Sequence, residues 1–259
     1  MVQTNKYKKL SVDTNIVIGL ALLYLRGEKE LINNNLAGGG SKIANKQYAE
    51  DIKLLQTYVD KRHIQIVLTP QVMHELTYKT KNVDEHGNTT ELSKEDLAWQ
   101  NLKNLALEYL ERMPKIKIAK IARHCQAEFN EDTEFLVDEY VNHHYIFEKN
   151  KKGNAPSDAC IMAQATVLGL DFITRDHHFT TLSPYSKKSR AEKIYMTNST
   201  YSDDTPTKVI PLSELESTMS NIGNHGQLVR KRYFQENNTD IDYSLLSYEE
   251  YVNDRHLGR

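Results

Sequence analysis

The sequence predicts an α/β fold, with a mainly parallel sheet covered by helices on both faces. Short apolar or β-branched runs, Lys8–Val12 (KKLSV), Ile64–Leu68 (IQIVL) and Asp171–Thr174 (DFIT), alternate with stretches of helical spacing. Helix-start signals stand between these runs, and IQIVL has the character of a strand buried in a sheet interior. Strand–helix–strand alternation is the pattern that builds parallel sheets.

Taken in order, KKLSV is a strand that ends at Asp13. Ile16, Val17, Leu20, Leu23 and Tyr24 then fall at helical spacing, so a helix follows directly. Residues 27–45 contain Asn33–Asn35 and Gly38–Gly40 and suggest a flexible insertion. A helix over about 45–60 precedes the IQIVL strand. Thr69 is the expected N-cap of the next helix, with Pro70 at its first position, where proline's missing N–H costs nothing. A polar loop is expected at 81–92. Ser93-Lys-Glu-Asp96 forms a capping box for a long helix with Leu97, Leu102, Leu105 and Leu110 near one face. Pro114 follows that helix, residues 115–120 alternate like a strand, and a charged helix is expected over 128–150. Pro156–Ser157 opens a further helix that Gly169 ends, DFIT is a strand, and Lys208–Ile210 reads as the last one. No internal repeat stands out.

With 39% hydrophobic and 26% charged residues, the 259-residue chain can bury a large core. Its 33 basic and 35 acidic residues leave a net charge of -2, which argues against coating nucleic acid through bulk charge. A local basic patch stays open. Lys149, Lys151 and Lys152 precede Asp158, while Arg175, Lys187, Lys188, Arg190 and Lys193 lie around or after Asp176; they read equally as solvated loops or as phosphate contacts. The longest apolar run, Ile16–Leu23, contains Gly19 and is too short to span a bilayer. No apolar stretch of signal-peptide length precedes Asp13, and Cys125 and Cys160 lack C-x-x-C spacing. The expectation is a cytoplasmic protein with free thiols and no membrane partner.

Four acids carry the chemistry. Asp13 and Asp176 follow strands, Glu75 lies on the second turn after Pro70, and Asp158 opens the helix that leads into DFIT. Ligands of open parallel sheets bind beyond the carboxyl ends of the strands, so topology directs all four toward one edge. Each acid also has a structural reading: Asp13 as a helix cap, Asp158 as a first-turn carboxylate favoured by the helix dipole, Asp176 as a turn residue. Glu75 is too deep in its helix to cap it and has Val72, Met73 and Leu76 around it, although a solvated helix face remains open.

As an ordered set, these residues resemble the PIN-domain family of nucleases. The resemblance rests on Ser-Val-Asp13-Thr14-Asn15-Ile-Val-Ile, Thr69-Pro-Gln-Val-Met-His-Glu75-Leu, Pro156-Ser-Asp158-Ala-Cys-Ile-Met-Ala and Leu-Asp-Phe-Ile-Thr174-Arg-Asp176-His-His-Phe179. It covers residues 8 to about 215. It implies a three-layer sandwich over residues 1–220, with insertions near 27–45, 81–92 and 183–206. It also implies metal-dependent hydrolysis of RNA phosphodiester bonds by an endoribonuclease. Asp13 and Asp176 would bind Mg²⁺ or Mn²⁺ directly; Glu75 and Asp158 would bind directly or through water and accept a proton. Asn15 and Thr174 would hold the acids in place. Clustered carboxylates repel one another unless a cation neutralises them, and oxygen-only ligands suit Mg²⁺ or Mn²⁺.

Many small members of the family are toxins held inactive by an antitoxin, so an inhibitory protein partner and a homodimer join RNA among the partners to consider. The alternative is a non-catalytic PIN-like module that binds RNA or protein. A related DNA nuclease would use further acids and a helical arch, and no such acid cluster is present. Residues 221–259 lie outside the resemblance and read equally as a docked appendage, a dimerisation arm or a partner contact.

Rival chemistries fail on particular residues. A haloacid-dehalogenase-type phosphatase needs a second aspartate where Asn15 stands. The zincin motif needs histidine where Tyr78 follows His74-Glu75. His143–His144 and His177–His178 are adjacent pairs whose side chains diverge on a helix. Gly38–Gly40 is not followed by Lys-Ser/Thr, and there is no G-x-S-x-G.

Overall fold

The computed structural model describes residues 8–34, 42–61, 63–78, 82–83, 89–90, 92–138, 155–174, 209–211 and 241–256. The apolar runs form strands where the sequence suggests. They are β1 (Lys8–Val12), β2 (Ile64–Leu68), β5 (Lys117–Ile121), β6 (Asp171–Thr174) and β7 (Val209–Pro211). With β8 (Tyr243–Leu246) they make a six-stranded sheet of order β7-β6-β1-β2-β5-β8. Every pairing is parallel except that of β8, which runs antiparallel along β5. Leu10 sits beside Ile66 on one side, and Val12 beside Ile173 on the other.

The central strands show why both faces must be covered. Leu10, Ser11 and Val12 of β1 alternate in direction, yet all are buried, as are all four residues of β6. A strand with no exposed side chain has protein on either side of it. One helix group is α1 (Thr14–Arg26), α2 (Glu28–Asn33), α3 (Lys42–Asp60) and α5 (Lys94–Arg112), packed on one another. A second is α6 (Gln126–Asp138) with α7 (Ala155–Val167), and α4 (Pro70–Thr77) touches both α5 and α7. This α/β arrangement is compatible with a three-layer sandwich. No described helix is long and apolar enough to cross a membrane.

Helix boundaries follow local chemistry. The hydroxyl of Thr69 accepts from Val72 N at the start of α4, and Ser93 accepts from Asp96 N at 3.0 Å at the start of α5. Gly169 ends the turn after α7 at φ 69°, a left-handed conformation that suits glycine. α1 is buried almost all round, from Thr14 through Leu22 apart from Asn15, as expected of a helix wedged between sheet and helices. Gly19 gives it room: a Cβ there would collide with the Tyr48 hydroxyl, which donates to Asn15 O at 3.0 Å.

The structure corrects several expectations. Much of 27–45 is helical. Gly27, at φ 87°, donates its N–H to Leu22 O and Leu23 O, the chain turns, and buried Leu31 anchors α2. Residues 35–41 lie outside the described part. The polar loop at 81–92 contains a short antiparallel pair, β3 (Asn82–Val83) with β4 (Thr89–Thr90). The buried face of α5 is Lys103, Ala106, Tyr109 and Leu110, while Leu97 is 52% exposed. β7 is not the last strand. β8 covers the outer edge of β5, which would otherwise present unpaired backbone groups. α8 (Tyr248–His256) packs against α5, β5 and β8, and its Asp254 pairs with Lys120 of β5. The segment that lay outside the resemblance therefore supplies a strand of the main sheet. Of the helix expected over 128–150, residues 139–150 lie outside the described part, as do the basic residues at 149–152 and 175–193.

Candidate functional site

From β1 the chain works outward to β2 and β5; it then returns to the other side of β1 and continues through β6 to β7. The carboxyl ends of β1 and β6 therefore flank the point where the chain reverses direction across the sheet. Such switch points leave a crevice between diverging connections.

Asp13 sits at that point, directly after β1, and is 5% exposed. Its Oδ1 accepts from Ile16 N at 2.8 Å, so it is the N-cap of α1. Its Oδ2 accepts from the hydroxyl of Thr174, the last residue of β6. The cap reading and the site reading thus describe the same side chain, with one oxygen serving each.

Glu75 reaches the same edge from α4. Its Oε2 accepts from the Thr14 hydroxyl, next to Asp13. Its Oε1 accepts from the Ser157 hydroxyl, next to Asp158 in the first turn of α7. Gln71, one turn before Glu75, adds two ties: its Nε2 donates to Ser157 Oγ at 2.8 Å and its backbone N–H to Gln164 Oε1 at 2.8 Å. One path of hydroxyl bonds therefore links β6, β1, α1, α4 and α7.

Three of the four predicted acids stand on segments joined by this path; Asp158 itself is half-buried. Asp176, two residues after Thr174, lies outside the described residues. Among the described residues, no group of three or more His, Cys, Asp or Glu side chains is arranged to hold a metal ion. Thr174 meets Asp13 as expected. Asn15 contributes its carbonyl to Tyr48, and among the described residues its side chain bonds to no acid. Thr14 and Ser157 supply the hydroxyls instead.

Charge around Glu75 leaves a mark on two neighbours. Burial, and then the Glu75 charge, pushes the Cys160 thiol up to about 11, so at neutral pH the site offers oxygen donors and a protonated thiol. Lys103 on α5 is 6% exposed and donates to Tyr78 O at 3.3 Å. Burial lowers its pKa, and the Glu75 charge opposes that shift.

Compared with protein-family models, curated proteins and solved structures, the chain gives no match.

Sequence reasoning missed Thr14 and Ser157 as hydrogen-bond partners of Glu75, Gln71 as a donor to Ser157, and Lys103 as a buried cation. Three signals were present. Thr14 and Ser157 are hydroxyl residues adjoining predicted site acids, and Gln71 precedes Glu75 by four, on the same helix face. Lys103 interrupts an apolar stripe, which is an expensive place for a cation.

Proposed function

We propose that the chain is a metal-dependent endoribonuclease of the PIN type, using Asp13, Glu75, Asp158 and Asp176 at a Mg²⁺ or Mn²⁺ site. The observation that carries this reading is the hydroxyl path from Thr174 through Asp13, Thr14, Glu75 and Ser157, at the switch point of a parallel sheet. It draws acid-bearing segments far apart in sequence toward one edge.

The donor set fits a hard divalent cation: carboxylates and hydroxyls, with the thiol of Cys160 protonated. A carboxylate oxygen that accepts one hydrogen bond retains a second lone-pair direction, so these bonds orient Asp13 and Glu75 without exhausting them. When bound, the cation would acidify a water and offset charge on the departing 3′ oxygen. The protein's own part is positional. Ile16 N and Thr174 fix the plane of Asp13, Thr14 and Ser157 orient Glu75, and Glu75 or Asp158 would accept the proton. In this reading the chain acts in the cytoplasm on RNA, and a toxin role restrained by an inhibitory protein is its extended form.

The second reading, a non-catalytic PIN-like module that binds RNA or protein, is favoured by one observation: among the described residues, no ready-made three-ligand group stands at the edge. Incubating the purified chain with a mixed single-stranded RNA pool and Mn²⁺ or Mg²⁺ separates the two. Cleavage that chelator abolishes and Asp13→Asn removes is the expected result. Equal cleavage by wild type and variant overturns the catalytic assignment, and RNA binding without cleavage under either metal supports the module.

A further inference from the structure

Lys103 lies on the buried face of α5 with Ala106, Tyr109 and Leu110. Taking an ammonium out of water is costly unless something compensates. Among the described residues Lys103 belongs to no ion pair, and its one hydrogen bond, at 3.3 Å, goes to the carbonyl of Tyr78. Tyr78 is the C-cap of α4, the helix that carries Glu75. α5 also packs along α1, which begins at Asp13. The cation is therefore fixed at the end of the Glu75 helix, on a helix that also packs along the one capped by Asp13.

We propose that Lys103 is the fixed countercharge of the acid site: held at the end of the Glu75 helix, it offsets carboxylate repulsion and weakens the site's grip on a divalent cation. The metal-related part rests on the nuclease reading; the countercharge part does not. The lowered pKa of Lys103, opposed by the Glu75 charge, agrees with a cation within electrostatic reach of that carboxylate. The rival role is a plain helix cap, in which the ammonium serves only the Tyr78 carbonyl and the negative end of α4.

The two roles predict opposite signs. Losing a cap loosens α4 and weakens metal binding. Losing a countercharge leaves the acids in place with more uncompensated negative charge, which tightens it. Lys103→Met removes charge and hydrogen bond; Lys103→Gln removes the charge and keeps an N–H for Tyr78 O. Mn²⁺ binding, measured by isothermal titration calorimetry on the full chain, should be about tenfold tighter in Lys103→Gln than in wild type. Equal or weaker binding overturns the proposal.

A second measurement needs no metal. Raising NaCl from about 0.05 M to about 0.5 M should increase the melting temperature of both variants more than that of wild type, because salt replaces the missing countercharge. Equal gains overturn the proposal, as does failure of both variants to fold at either salt concentration. If the wild type takes up no Mn²⁺, the nuclease reading falls and the salt comparison alone decides the role of Lys103.

Discussion

The hydroxyl of Thr174 donates to Oδ2 of Asp13 across the boundary between two neighbouring parallel strands. Both groups are buried, so each would lose heavily if the other were removed. Thr174→Val leaves a buried carboxylate oxygen short of a donor. It should cost about 1–3 kcal/mol in chemical denaturation, whereas Thr174→Ser should cost less than half of that. A larger loss in Thr174→Ser than in Thr174→Val would mean that the methyl group, and not the hydroxyl, matters.

Asp13 combines capping with chemistry, and substitution can divide them. Asparagine caps helices about as well as aspartate, so Asp13→Asn should keep stability within about 1 kcal/mol of wild type, while Asp13→Ala should lose about 1–2 kcal/mol. On the proposed function, Asp13→Asn also lowers metal-dependent RNA cleavage by about 100-fold or more. Melting curves and cleavage rates on the same preparations test both parts.

Ser157 relays between Gln71 and Glu75. Ser157→Ala should leave the fold nearly unchanged, because the residue is only half-buried, and, on the proposed function, should slow cleavage by about tenfold through loss of Glu75 orientation. Gln71→Leu should slow it by a similar factor, and the double variant by little more than either alone, since both act on one carboxylate. Fully multiplicative losses would break the relay.

Gly19 of α1 leaves no room for a Cβ against the Tyr48 ring and hydroxyl of α3. Gly19→Ala should destabilise by about 1–3 kcal/mol through overpacking, despite alanine's better helix propensity. Adding Tyr48→Phe, which removes the clashing oxygen, should recover part of that loss. No recovery would locate the strain elsewhere.

The raised thiol of Cys160 gives a pH dependence. Its pKa moves from 9.0 to about 11 on folding, so the protonated thiol favours the folded chain. This contribution is complete below about pH 9 and is lost as pH rises toward about 11. Half-buried tyrosines, including Tyr243 and Tyr251, also titrate high, so the comparison must be with Cys160→Ala, whose alkaline loss should be shallower than wild type's. Near pH 8, alkylation of Cys160 in the folded chain, followed by mass spectrometry, should run about 100-fold slower than in the unfolded chain.

The sheet was largely legible because its central strands are apolar runs whose burial needs no knowledge of neighbours. The starts of α4 and α5 were legible for a similar reason, since Thr69 and Ser93 cap them through bonds only three residues long. α2 was hidden because EKELIN is short, and only Leu31 marks its buried side. β8 was hidden because YSLL becomes a strand by meeting an edge made much earlier in the chain. The acids were legible as polar residues at strand and helix ends. Their hydroxyl partners depend on how α7 approaches α4, a distance that no local pattern encodes. Lys103 broke the helical stripe visibly, but its link to Glu75 exists only in three dimensions.

β5 ends at Ile121, and the strand that covers its outer side begins at Tyr243. While the chain is being synthesised, that backbone margin has no native partner until the later segment emerges. The nascent protein should therefore be most prone to mispairing during this interval, and a chaperone that masks extended backbone would be of most use to it then.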